Sequence, residues 1–402
     1  MAFVDPLHRE FAGLASAWVT VGAADLGEIT AITDAFPDDG DDSAYYDTWS
    51  AAAARHREQA DAALTRGRTS TARGHLFRAA SYYGVGIKPW FGTPVAPQMI
   101  EGFDGATDAF DRAIVLGPRP AERLSIPFDG VDMPGWFVPA ADSAPGEVRP
   151  AVVVVNGYDG TLPENHFGIG LAAVERGYHV VLFDGPGQGA LLVHRSIPMI
   201  AEWERVVTAV VDVVIERGDV DPERIVLHGW SLGGHLAPRA ATAEHRLAAV
   251  VADPALWGIL DGMRALVAVL GSPELAAGLP DLPDDVAAEM TEQIRSDRGL
   301  EWRVIKRGFW VHGVDSLKGY LAAAEPFTLT GRSDGIRCPL LGTTTEGDLL
   351  SAGAADFLSR LHGPTTLLRF TAADGAGGHC EAQNRWLLNS RVLDWLDDTL
   401  AP

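Results

Sequence analysis

The spacing of apolar residues divides the chain into two parts. From about residue 7 to residue 117 they recur every three or four positions, which predicts helices, and no alternating strand pattern interrupts them. At Arg123 the pattern changes, because the apolar runs at 124–128 and 135–138 flank the turn sequence DGVD, which is typical of an antiparallel strand pair. We therefore expect a helical N-terminal cap domain over 1–120 and a second domain over 121–402.

Beyond the antiparallel pair, continuous apolar runs alternate with helical patterns. Runs of this kind are typical of strands buried on both faces of a parallel sheet. The predicted strands are 151–155, 179–183, 225–227, 247–252, 339–343 and 365–370, and the predicted helices lie near 167–175, 201–217, 232–241, 352–361 and 380–400. This order predicts the α/β-hydrolase fold, a mostly parallel eight-stranded sheet flanked by helices. An insertion at about 255–335, between the sixth and seventh strands, carries helix signals and is expected to form a lid.

One serine stands where a strand, a tight turn and a helix meet. The pentapeptide GWSLG at 229–233 follows the apolar run RIVLH and precedes GHLA. This arrangement is typical of a nucleophile elbow, in which the serine backbone is strained and a side chain on either flanking glycine would collide with the strand or the helix. Ser231 is therefore the predicted nucleophile.

A serine nucleophile requires a histidine base and a carboxylate that orients the histidine. The glycine-rich loop after the last predicted strand delivers His379 just before the terminal helix, so His379 is the predicted base. The acid should follow the seventh strand, where Asp348 is preferred and Glu346 is the rival; either could instead be a helix N-cap. Asp253, at the end of the sixth strand, is a third candidate.

The oxyanion of a tetrahedral intermediate needs two preorganised donors. The elbow supplies the backbone NH of Leu232, and the loop NGYDGT at 156–161 supplies that of Tyr158, unless this loop is an ordinary turn between strand and helix. The sequence DGPGQG at 184–189 contains proline and lacks the lysine of a phosphate-binding loop, so we interpret it as a structural turn near the site. Cys380 adjoins His379, but adjacent side chains normally point apart, which argues against a cysteine nucleophile.

Composition narrows the functional classes. The 402 residues carry a formal charge of −22, which disfavours nucleic acid and anionic membrane partners. The start of the sequence lacks signal-peptide features and the two cysteines cannot form a disulfide framework, so a cytoplasmic location is expected. Metal-binding spacings and a dinucleotide fingerprint are missing from the sequence, and we expect no metal and no cofactor.

These motifs together resemble one branch of the α/β hydrolases. The elbow, NGYDG at 156–160, DGPGQG at 184–189, GGHC at 377–380 and the helical segment HLFRAASYY at 75–83 are similar to those of 2,6-dihydroxypseudooxynicotine hydrolase and the fungal yellowish-green heptaketide hydrolases of pigment pathways. The resemblance implies a Ser231–His379–Asp348 triad that cleaves a carbon–carbon bond beside a ketone in a polyketide-like substrate. The chain departs from this group at GTTTE, 342–346, where the strand into the acid turn is unusually polar.

Several alternatives stay open at this point. The same triad would serve a carboxylesterase, and a non-hydrolytic relative such as a cyclase, lyase or small-molecule binder is a third class. His379 could also activate water directly instead of Ser231. The substrate pocket is expected to include Trp230, Asp159, Trp302, Phe309 and Trp310, with the lid core as the alternative place for the insertion aromatics. We expect a small-molecule ketone or ester as the binding partner, and the helical segment offers a surface for a homodimer.

Overall fold

The computed structural model describes residues 3–37, 39–269 and 272–401. In these ranges, helices alone precede the first strand, as the apolar spacing predicts. They are α1 (Pro6–Ala17), α2 (Leu26–Ala35), α3 (Asp42–Thr65), α4 (Thr69–Gly86) and α5 (Pro97–Ile114), with a 3-10 turn at Lys88–Trp90 between α4 and α5. Aspartates begin the first three helices: the side chains of Asp5, Asp25 and Asp41 accept hydrogen bonds from NH groups of the first turn, which no helical carbonyl can reach.

One eight-stranded sheet forms the centre of the molecule. Its strands are β1 (Glu122–Phe128), β2 (Val131–Val138), β3 (Arg149–Val155), β4 (His179–Phe183), β5 (Val220–Trp230), β6 (Leu247–Asp253), β7 (Leu340–Thr345) and β8 (Thr365–Phe370). The strand order is β1-β2-β4-β3-β5-β6-β7-β8. β2 pairs antiparallel with β1 and β4, and all other pairs are parallel.

Burial explains the two strand patterns in the sequence. β1 alternates between exposed and buried residues because one face of this edge strand meets solvent. β3 and β4 are continuous apolar runs because helices cover both faces, and Val152 of β3 pairs with Val180 on one side and Val226 of β5 on the other. The register brings the ends of β5 and β6 together, so the residue after β5 emerges at the carboxyl edge of the sheet.

The helices between the strands match the predicted ones, with three differences. They are α6 (Leu162–Asn165), α7 (Leu171–Glu175), α8 (Gly189–Arg195), α9 (Trp203–Ile215), α10 (Gly233–Ala241), α17 (Ala354–Ser359) and α18 (Arg385–Thr399), with a π-helical segment at His166–Gly170. The first of them begins earlier than predicted, and α8 was not predicted. α18 begins at Arg385 rather than 380, since the side chain of Asn384 caps it and the preceding backbone at Cys380 is left-handed.

The insertion between β6 and β7 is helical, as predicted. It comprises α11 (Ile259–Val269), α12 (Pro273–Gly278), α13 (Asp284–Ser296), α14 (Arg298–Leu300), a π-helical run (Glu301–Phe309), α15 (Trp310–His312) and α16 (Leu317–Ala324). This segment, which we call the lid, has an apolar cluster of its own, whereas its residues Trp302, Trp310 and Val311 belong to the main core. It also contacts α1, through Arg298 to Asp5 at 2.6 Å and Arg303 to Glu10 at 2.5 Å. Within the described ranges, no helix combines the length and the apolar composition required to cross a bilayer.

Candidate active site

The turn after β5 holds Ser231 in a strained conformation. Its φ is +58°, in the left-handed region that residues with a side chain rarely adopt. The neighbouring glycines are required sterically: a Cβ on Gly229 would lie 1.9 Å from the carbonyl oxygen of Gly233, and one on Gly233 would lie 2.3 Å from that of Val155. The Ser231 NH donates to the Asp253 carbonyl at 2.6 Å, which secures the turn to β6. The observed geometry is that of the predicted elbow.

Three side chains from distant parts of the chain meet at this turn. The Ser231 hydroxyl contacts Nε2 of His379 at 2.8 Å, and Nδ1 of His379 contacts the Asp348 carboxylate at 2.9 Å. Because a carboxylate only accepts hydrogen bonds, the neutral imidazole carries its proton on Nδ1 and presents Nε2 as an acceptor to the serine hydroxyl. This is the arrangement in which an imidazole can remove the proton from a nucleophilic serine.

The structure shows which of the three candidate carboxylates contacts His379. Asp348 reaches His379 with one oxygen while the other accepts the Leu350 NH at 3.0 Å, so the same side chain is both the histidine partner and the cap of the turn at Leu349–Ser351. Glu346 points elsewhere and accepts the Ala372 NH at 2.9 Å. Asp253 is buried and binds Arg385 at 3.1 Å rather than the histidine.

The loop after β3 lies directly against the elbow. A Cβ on Gly157 would fall 2.8 Å from Cβ of Ser231 and 3.1 Å from the Leu232 nitrogen, so only glycine allows this approach. Leu232 is the N-cap of α10, and its NH belongs to the groups that a helix leaves unpaired. Within the described part of the chain, neither this NH nor that of Tyr158 donates to a backbone carbonyl. Both are therefore available to an oxyanion.

The DGPGQG turn supports that loop through a side chain whose role the sequence analysis did not identify. Gln188 donates from Nε2 to the carbonyls of Asn156 at 2.8 Å and Gly157 at 3.2 Å, and its own oxygen accepts the Gly185 NH at 3.2 Å. In a trans peptide the NH points opposite to the carbonyl. A hydrogen bond to the Gly157 carbonyl therefore orients the NH of Tyr158.

The aromatic residues predicted for the pocket occupy three different surroundings. Trp230 is partly exposed and lies edge-on to Trp18, with ring centroids 5.9 Å apart. Trp302 and Trp310 are buried against Phe91. The last member of the group, Phe309, belongs to the apolar cluster of the lid. These contacts place Trp302 and Trp310 between the lid and the helical N-terminal segment, and Trp230 between the elbow and that segment. Contact of any of these residues with a substrate stays a prediction.

A polar cluster from the lid surrounds the Tyr158 side chain. Its hydroxyl lies 2.9 Å from Nε2 of His312 and 3.4 Å from the hydroxyl of Tyr320. Burial lowers the pKa of His312 to about 4, so this imidazole is neutral at pH 7, and burial raises the pKa values of both tyrosines. The cluster therefore offers neutral hydrogen-bonding groups beside the loop.

Behind the triad lies a buried ionisable cluster that the sequence analysis did not anticipate. Arg385 donates to Asp253 at 3.1 Å and to the Cys380 carbonyl at 2.7 Å, and Thr345 donates to Glu381. Burial and the neighbouring Asp253 carboxylate raise the pKa of Glu381 to about 10. Burial also raises the pKa of the Cys380 thiol, which lies against the Asp253 carbonyl rather than the triad. The cluster links the histidine loop to the strand that anchors the elbow.

Comparison with known proteins identifies the class that this fold and geometry define. The model of the alpha/beta hydrolase family matches residues 152–386, more than half of the chain. The chain therefore belongs to the α/β hydrolase family, and the predicted fold and hydrolase class are confirmed.

Individual relatives extend the match over nearly the whole chain. Hydrolase acrC of Aspergillus aculeatus is 29% identical over 98% of this chain and 96% of its own length. The 20-hydroxy-prefusarin hydrolase FUS2 of Gibberella moniliformis is 28% identical over 90% of this chain and 89% of its own. The crystal structure of 2,6-dihydroxy-pseudo-oxynicotine hydrolase superposes with a TM-score of 0.75 and 21% identity, covering 96% of this chain and 95% of that one. The predicted resemblance to fungal hydrolases and to the fold of that enzyme is confirmed.

Proposed function

We propose that this hydrolase cleaves a carbon–carbon bond next to a ketone, with Ser231 as nucleophile, His379 as general base and acid, and Asp348 as the carboxylate that orients the histidine. The continuous hydrogen-bonded path from the Ser231 hydroxyl through both imidazole nitrogens to Asp348 carries the proposal. The substrate class follows from the resemblance to hydrolases of polyketide-like ketones, and a β-diketone or acyl-aromatic ketone fits that class.

In the first step, His379 takes the hydroxyl proton while the Ser231 oxygen attacks the ketone carbonyl. The carbonyl oxygen becomes an oxyanion, which the NH groups of Leu232 and Tyr158 stabilise. Asp348 stabilises the imidazolium that results from the proton transfer.

In the second step, the tetrahedral intermediate collapses and the carbon–carbon bond breaks. The departing carbon is a poor leaving group unless it leaves as an enolate or electron-rich aromatic carbon and is protonated, and the His379 imidazolium supplies that proton. Water, deprotonated by the same histidine, then attacks the acyl group, and the histidine returns the proton to the departing Ser231 oxygen as the carboxylic acid is released. Overall, one water is consumed and one ketone becomes a carboxylic acid and a protonated carbon fragment.

The partial exposure of His379 supports a double role in proton transfer. Its side chain is 36% exposed, so water can reach the imidazole after the first product leaves. The same geometry permits a direct route, in which His379 activates water and Ser231 only donates a hydrogen bond. A covalent acyl group on Ser231 distinguishes the two routes.

Benzoylacetone and p-nitrophenyl acetate are suitable test substrates, because one probes carbon–carbon cleavage and the other ester cleavage. We expect benzoate and acetone from the diketone, and a loss of turnover of at least about a thousandfold in Ser231→Ala and His379→Ala. His362→Ala is the matched control, since this imidazole is 80% exposed and lies away from the site. Mass spectrometry of a quenched reaction should find the benzoyl group on the peptide that contains Ser231.

Other outcomes assign other functions. Hydrolysis of esters with no cleavage across a panel of β-diketones would make the protein a carboxylesterase. Products formed without addition of water would place it among the non-hydrolytic relatives. Turnover retained in Ser231→Ala, with an unchanged circular dichroism spectrum, would refute the proposed site altogether.

A further inference from the structure

The loop that carries the Tyr158 NH is held at a second point by a lysine side chain from the helical N-terminal segment. Lys88, in the 3-10 turn between α4 and α5, donates from Nζ to the carbonyl of Asp159 at 2.7 Å. Gln188 holds the carbonyl of Gly157 two residues earlier. The backbone of Tyr158 is thus bracketed by two side-chain donors, one from the catalytic sheet region and one from the helical N-terminal segment.

The ammonium group of Lys88 is enclosed. Only 2% of the side chain is exposed, and its charge is balanced by Glu164 at 3.0 Å and by the Asp159 carboxylate at 3.7 Å. Glu164 is in turn bound by the Thr161 hydroxyl at 3.1 Å. Since a buried charge that loses its partners is strongly unfavourable, this lysine has little freedom to move. Its bond to the loop carbonyl is correspondingly well defined.

The lid binds the same loop residue. Arg307 donates to the Asp159 carboxylate at 3.0 Å, and its guanidinium lies 5.0 Å from the ring centroid of Tyr158. Burial alone would raise the pKa of Asp159, but the charges of Arg307 and Lys88 outweigh it and hold the pKa below its usual value. The Trp302 indole also donates to the Lys88 carbonyl at 2.7 Å. The helical segment and the lid therefore both bind Asp159, two residues beyond Gly157.

We infer that Lys88 is a positioning residue for the oxyanion hole: by holding the Asp159 carbonyl, it restrains the loop just beyond Tyr158, while Gln188 orients the peptide that carries the Tyr158 NH. Through Lys88, the helical N-terminal segment contributes to catalysis as well as to covering the site. This inference rests on the proposed serine mechanism. It requires no contact between Lys88 and the substrate.

The rate at which a fluorophosphonate probe labels Ser231 tests the inference without knowledge of the substrate. The labelled serine is tetrahedral at phosphorus and places an oxygen in the oxyanion hole, so the maximal labelling rate reports on the hole, whereas the probe concentration for half-maximal rate reports on binding. Lys88→Met alone would leave Glu164 buried and unpaired. The informative variant is therefore Lys88→Met/Glu164→Gln, compared with Glu164→Gln as its reference.

We expect the maximal labelling rate of the double variant to fall about 10- to 100-fold below the reference, with the half-maximal concentration changed less than about threefold. The matched control is Lys318→Met/Asp284→Asn, which removes an exposed ion pair of the lid at 2.5 Å and should label like the wild type. The melting temperature reports separately on folding.

Two results would overturn the inference. A folded double variant that labels as fast as Glu164→Gln would show that Lys88 does not position the loop. Failure of the double variant to fold would assign Lys88 a structural role only. If the wild type itself is not labelled at Ser231, the serine mechanism fails instead, and the two failures are distinguishable.

Discussion

Replacing Gly157 by alanine tests the close approach between the β3 loop and the elbow. The added Cβ would lie 2.8 Å from Cβ of Ser231, 3.0 Å from the carbonyl oxygen of Trp230 and 3.1 Å from the nitrogen of Leu232. Favourable carbon–carbon separations begin at about 3.5 Å, so the first contact is short by about 0.7 Å. All three obstructing atoms belong to the elbow itself, whose backbone cannot yield without moving the nucleophile. The loop must therefore move away from the elbow.

This displacement of the loop should lower the turnover rate. A displacement approaching 1 Å at a reacting group costs about 100-fold in rate, and removing one oxyanion donor costs about 100- to 1000-fold. We therefore expect kcat of Gly157→Ala to fall about 100-fold, equivalent to about 2.7 kcal/mol of transition-state stabilisation. The overpacked contact should also lower the free energy of unfolding by about 1–3 kcal/mol.

The assay is steady-state hydrolysis of whichever test substrate the wild type accepts, with urea unfolding measured in parallel. Gly218→Ala is the control, because a Cβ there meets no atom within 4 Å. Its kcat should equal that of the wild type. If folded Gly157→Ala turned over within about threefold of this control, the loop would not form the oxyanion hole and the steric reasoning would be refuted.

Three further predictions concern the acid and the buried titratable groups. Asp348→Asn should lower kcat by about 10⁴-fold, because the His379 imidazole loses the partner that sets its tautomer, whereas Glu346→Gln should keep the wild-type kcat. Equal losses of kcat in steady-state assays would contradict the assignment of Asp348 as the acid. The pKa of Glu381 rises from its ordinary value of 4.5 to about 10 in the fold, so between these two pH values the carboxyl is protonated in the folded state and ionised in the unfolded state, and stability falls as pH rises. Urea unfolding at pH 7 and pH 9 should show this fall in the free energy of unfolding, and Glu381→Gln should show less of it. Burial lowers the pKa values of His228 and His235 from 6.5 to about 4, so as the pH drops through this range the unfolded state binds protons before the folded state does, and stability falls. Acid unfolding followed by circular dichroism should therefore be less steep in His235→Gln. An unchanged slope would show that His235 does not contribute to acid unfolding.

The local features of the fold could be read from the sequence because their causes are local. Buried strands require continuous apolar runs, and the turn at Ser231 requires glycine at position 229 because a Cβ there would meet the Gly233 carbonyl of the same turn. In this fold the base comes after the nucleophile and the acid along the chain, which left His379 as the candidate base. A glycine-rich loop after the last strand is visible without coordinates.

Tertiary structure decided the rest, since the deciding contacts join residues far apart in sequence. The sequence favours Asp348 but leaves Glu346 as a rival, and only the path of the backbone after β7 directs one towards His379 and the other towards the Ala372 NH. Lys88 binds Asp159 in the loop at 156–161 from 71 residues away, and Arg307 binds it from 148 residues away. A buried charge carries no periodic pattern of its own, because the burial that makes it effective is a property of the assembled cap, lid and sheet.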